Sequence, residues 1–176
     1  MRNAAEIKRI AIAYEEAKDE IKKIPREQIH LFRKLIKDQF NFLTSHHSSR
    51  PIYFDFVLED PYEYIKVSEM LADFELGSIG VNCSGNDSKL WGPVYNLFFR
   101  AIHEWIHCNY KLDFNYEHEV EAFRRQMEFS TAGGGGKIDW DLYEKVLRSE
   151  IVYQAAYKTH FNVFHLPFQK IILADL

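Results

Sequence analysis

Apolar residues recur along much of this chain at three- and four-residue steps, the period of an amphipathic helix. From Ala4 to Ile24 the stripe is Ile7, Ile10, Ala11, Tyr14, Ala17 and Ile21. Pro25 closes that helix and can open another, because Ile29, Leu31, Phe32, Leu35, Ile36, Phe40 and Leu43 carry the period on to Thr44. The spacing therefore predicts an N-terminal helical hairpin over residues 3–44.

The period then breaks. Pro51 to Leu58 (PIYFDFVL) has the aromatic and β-branched content of a strand, and Ser78 to Cys83 offers a second short one. Between them, Asp60 and Pro61 suit the start of a helix over Tyr62 to Phe74. Gly92 and Pro93 open a helix running to about Cys108, and Asp113 or Asn115 caps another over Tyr116 to Phe129. After the glycine run Gly133 to Gly136, helical spacing resumes from Ile138 to about Lys158, with a last short helix expected over His165 to Leu173. The fold class expected is mainly α: a multi-helix bundle in one domain, residues 1–176, with one or two short strands near 51–58 and 78–83. Residues 61–173 form the part of that bundle that bears the chemistry below.

Composition narrows the class of partner. Of 176 residues 47% are hydrophobic and 15% aromatic, enough for a well-filled core. The net charge of −4, with both signs interspersed, argues against nucleic acid as a partner. No apolar run reaches the roughly 18 residues of a membrane span, and Met1 to Lys23 lacks the uninterrupted apolar stretch of a signal peptide. Two cysteines, Cys83 and Cys108, are too few for a disulfide framework, so a reducing, cytoplasmic setting is expected.

The helix opened by Gly92 carries the candidate chemistry. His103, Glu104, Trp105, Ile106 and His107 spell H-E-x-x-H, whose histidines lie four apart on one helical face, where both can grip one metal. Glu104 would then reach a metal-bound water as general base. Upstream, Asn96 and Arg100 extend the polar row, and Leu97, Phe98, Phe99, Ile102 and Ile106 border it. A polar row between large apolar side chains is a lined site or a buried hydrogen-bond network, since buried polar groups need partners.

A catalytic zinc takes three protein ligands and leaves one position open. Of the carboxylates on the next helix, Glu119 shares a face with Tyr116, Ala122, Phe123 and Gln126, whereas Glu117 and Glu121 face solvent. Glu119 is thus the expected third ligand, ahead of Asp113. Glu150 lies on an apolar face with Tyr143, Val146, Leu147 and Gln154 and is a further inward carboxylate: a fourth ligand, an acceptor for a histidine N–H, or a partner for Arg100.

The pentapeptide resembles the signature of zincin peptidases, although the sheet edge along which those enzymes bind substrate has no counterpart in the pattern here. Asp113 stands where a metzincin places its third ligand, but Tyr110 occupies the position at which metzincins need glycine. The longer string Asn96-x3-Arg100-x2-His103-Glu104-x2-His107, followed by Glu119-x2-Ala122-x3-Gln126, resembles a set of helical proteins of bacteria and phages. A weaker echo lies in Glu150, Gln154 and Phe168-Gln169-Lys170. That resemblance implies that His103, His107 and Glu119 cluster, and implies no activity.

The expected function is a zinc-dependent hydrolase of metallopeptidase type acting on a peptide or small molecule. His103, His107, Glu119 and Glu150 are its metal-ligand candidates, Glu104 is the base, and Arg100 or Asn96 steadies developing negative charge. Iron or manganese in a carboxylate-rich bundle is the variant chemistry. The rival expectation is a non-catalytic interaction or assembly protein with a structural metal or a metal-free polar network.

Overall fold

The computed structural model describes residues 4–45, 48–58, 67–84, 86, 88–134, 136–163 and 169–176. Within them the chain is mainly helical: α1 (Ala4–Glu16), α2 (Arg26–Thr44), α3 (Val67–Leu76), α4 (Gly92–Tyr110), α5 (Tyr116–Ala132), α6 (Trp140–Arg148) and α7 (Gln154–Phe161). Strands β1 (Tyr53–Val57) and β2 (Ser78–Asn82) pair in parallel, in register from Tyr53 with Ser78 to Val57 with Asn82. Parallel neighbours need a crossover, and α3 lies within it. The expected fold class and both strand positions are observed. The first residues of the helix expected over Tyr62 to Phe74 lie outside the described residues; from Val67 onward the helix is present and runs to Leu76.

Several boundaries differ for identifiable reasons. The helix expected to reach Ile24 stops at Glu16, and only a short 3-10 turn, Ile21–Lys23, follows. The C-terminal segment intervenes there: Lys170 donates from Nζ to the carbonyls of Tyr14, Glu15 and Ala17 and so caps the end of α1. The side chains of Asp19 and Glu20 accept from the backbone N–H groups of Ile171 and Leu173, while Glu20 N–H donates to Ile171 O. Residues 169–176 are therefore an extended strap, where a helix over His165 to Leu173 was expected; residues 164–168 lie outside the described residues. Of the two N-terminal helices, α1 packs on α7 and α2 packs on α4.

The long helix expected from Ile138 holds a π turn, Ser149–Tyr153, between α6 and α7. One connected apolar core runs through the bundle from Ile10 to Ile172, with Trp91, Tyr14, Tyr116 and Tyr143 among its largest fully buried side chains. Helix α4 sits at its centre, against α2, α3, α5 and β2. That position explains why α4 can carry a buried polar row. Its Ala101 and Ile102 are fully buried in that core, and Ile106 is fully buried in a smaller apolar cluster with Leu112 and Ala122. Among the described residues, no helix is long and apolar enough to cross a membrane.

Candidate metal centre

Two helices and the turn between them build the site. Helix α4 ends at Tyr110 and is capped by Lys111, whose φ of 55° and ψ of 49° place it in the left-handed region and reverse the chain. That reversal lets Leu112 N–H donate to the His107 carbonyl at 2.9 Å, and returns the Leu112 carbonyl to within 3.1 Å of His107 Nδ1. Asn115 then caps α5, its side chain accepting from His118 N–H at 3.0 Å. Glu119, in the first turn of α5, thereby comes to face His103 and His107.

His103 Nε2 lies 3.1 Å from His107 Nε2 and 3.1 Å from Glu119 Oε2, and His107 Nε2 lies 3.6 Å from the same carboxylate oxygen. In a tetrahedral zinc site with ligand atoms about 2.0–2.1 Å from the ion, neighbouring ligand atoms stand roughly 3.3 Å apart. The triangle of 3.1, 3.1 and 3.6 Å fits one face of that tetrahedron. A point about 1.9 Å from each of the three atoms lies in their plane, so an ion at zinc distances fits just outside it. His103, His107 and Glu119 thus form a group that could hold a metal ion, and among the described residues no other such group occurs.

The surroundings fix the two imidazoles. His107 is fully buried and stacks on Phe114 with ring centroids 4.5 Å apart; His103 lies parallel to Phe99 at 6.4 Å. Both rings turn Nε2 inward and Nδ1 outward to an oxygen: Leu112 O for His107 and Gln126 Oε1, at 3.2 Å, for His103. A carbonyl oxygen only accepts, so His107 donates from Nδ1, and Nε2 is the nitrogen left to face a metal. This arrangement, a ligating nitrogen whose partner N–H is held by a carbonyl, is typical of metal-bound histidine. Burial works against charge on Glu119, yet the adjacent His103 and His107 hold its carboxyl well below the usual carboxylate range. The side chains of His103 and Glu119 keep 16% and 14% exposure, so the cluster has an opening to solvent.

The remaining expected site residues are not part of the three-residue group. Arg100 Nη1 donates to the carbonyls of Asn82 and Ser84, at 2.7 and 2.8 Å, and Asn96 Nδ2 donates to Asn86 Oδ1 at 2.6 Å. Both side chains anchor the segment that leads from β2 into α4. Glu104 is half-buried and lies near enough to Cys108 for its charge, with that of Asp73, to add to burial in pushing up the thiol. Glu150 stands in the π turn, outside the three-residue group, where it accepts from Gln154 Nε2 at 2.9 Å. Asp113 is exposed at the start of the α4–α5 turn, its N–H donating to His118 Nδ1 at 2.8 Å, and it does not join the group.

Two contributors carried little signal in the sequence. Gln126 shares the inward face of Glu119 by helical phase, but nothing in the pattern gives it a role. Leu112 acts through its backbone, which no residue type announces. Compared with protein-family models, with curated proteins and with solved structures, the chain matches none of them.

Proposed function

We propose that the protein is a zinc-dependent hydrolase of metallopeptidase type. The observation that carries this reading is the triangle of His103 Nε2, His107 Nε2 and Glu119 Oε2, with edges of 3.1, 3.1 and 3.6 Å, that fits a tetrahedral zinc with its fourth position open. Two imidazoles and one carboxylate suit zinc, and the same set also suits iron(II); the H-E-x-x-H spelling is what favours zinc, with iron or manganese as the variant. A zinc ion there would lower the pKa of a water in the fourth position to near neutrality, supplying a nucleophile. The exposed edges of His103 and Glu119 give a peptide or small-molecule substrate access to that position. Glu104, next along α4 from His103, is the residue assigned to take the proton from that water.

The position of Glu104 near Cys108 also favours a second reading, in which the metal only pins α4 to α5 in an interaction or assembly protein. The variant Glu104→Gln separates the two. Under the hydrolase reading, zinc content stays at one per chain and hydrolysis of a peptide or ester library falls at least about a hundredfold. Unchanged hydrolysis would remove Glu104 as base; zinc bound with no hydrolysis in the wild type would leave the structural reading.

A further inference from the structure

His107 and His103 solve the same chemical problem with unequal certainty. The acceptor for His107 Nδ1–H is the Leu112 backbone carbonyl, which cannot be anything but an acceptor. The acceptor for His103 is the side-chain amide of Gln126, which presents an oxygen on one side and an NH2 group on the other. With Oε1 facing Nδ1, His103 keeps its hydrogen on Nδ1 and frees Nε2 to bind metal. With the amide turned over, Nε2 of Gln126 would donate to Nδ1, and the hydrogen of His103 would move to the nitrogen that faces Glu119.

The orientation observed is the one that serves a metal, at the amide's own expense. Gln126 is completely buried, and its Nε2 has no hydrogen-bond partner among the described residues. A buried donor left unmatched is costly, whereas the turned amide would place that same donor against His103 Nδ1. Two imidazole nitrogens and a carboxylate oxygen converge to 3.1–3.6 Å, a spacing that a proton on an imidazole or a metal ion between them can relieve. The amide orientation that leaves this donor unmatched is the one that keeps His103 Nε2 directed at the cluster with its ring hydrogen on Nδ1.

We propose that Gln126 is the positioning residue of the metal centre: by accepting the Nδ1 hydrogen of His103 it fixes that ring as a ligand and sets the affinity for zinc. The proposal rests on the metal reading above. It assigns to Gln126 no contact with substrate or with the ion.

The test is zinc affinity of the tag-free full chain, measured by competition with a chromophoric chelator. Gln126→Glu, which keeps an acceptor, is expected to hold affinity within a few-fold of wild type; Gln126→Leu, which keeps the shape but no acceptor, is expected to lose 10- to 100-fold. Equal affinity in wild type and the Leu variant overturns the proposal, and so does an equal loss in both variants, which would mark packing alone. Should the Leu variant not fold, nitrogen NMR of the His103 ring in wild type decides. Zinc-loaded protein is expected to carry the hydrogen on Nδ1, and a ring protonated at Nε2 contradicts it. Wild type that binds no zinc would instead sink the metal reading itself, a result distinct from either failure of Gln126.

Discussion

At the scale of single residues, the interior separates two glutamates by their company. Glu119 meets two imidazoles and is held ionised, whereas Glu150 meets chiefly burial, which pushes its carboxyl up to about 7, opposed by the Gln154 hydrogen bond and the charge of Arg100. Because the folded value lies above the unfolded one, Glu150 contributes stability that is full below about pH 4.5 and falls as the pH rises toward 7. Glu150→Gln keeps an acceptor for Gln154 and removes the titration. Melting curves at several pH values should show the variant more stable than wild type above pH 7, by up to about 3 kcal/mol, with little difference near pH 4.5. A pH-independent difference would contradict this. The inward placement of Glu119 was legible from helical phase alone, because α5 is regular from Asn115 onward. Glu150 was legible as inward too, but its surroundings were not, since the π turn shifts the phase within its own helix.

At the scale of elements, the turn from α4 into α5 controls the site. Its reversal rests on Lys111 at φ 55°, a region where a side chain is strained and glycine is not. Lys111→Gly is expected to raise stability by about 0.5–1 kcal/mol in denaturant titration while leaving zinc affinity unchanged. A loss of stability would show that the lysine side chain, not the backbone, holds the turn. Sequence spacing located α4 and α5 closely but missed this reversal, because glycine is the residue that usually announces it and lysine does not. The same limit explains α1. Its apolar stripe continues past Glu16, but the capture of its end by Lys170 is a contact between residues 156 apart, which periodicity cannot report.

At the scale of the whole molecule, the centre links α4, the middle of the core, to α5, so a bound ion would favour the folded state over the unfolded chain. The main apolar core extends from Ile10 to Ile172, so the chain is expected to remain folded without the ion. The sequence pattern conveyed this mainly α architecture because long amphipathic stripes dominate it. It conveyed the parallel pairing of β1 and β2 less, since a crossover leaves no local mark.

The most direct measurement is the metal content and zinc-dependent melting of the full chain, purified without a histidine tag. One zinc per chain is expected, with stabilisation of about 2.7 kcal/mol when free zinc stands at a hundred times its dissociation constant. Both effects are expected to vanish in Glu119→Gln together with His107→Ala. Absence of stoichiometric metal, or zinc binding that survives removal of both ligands, would contradict the account.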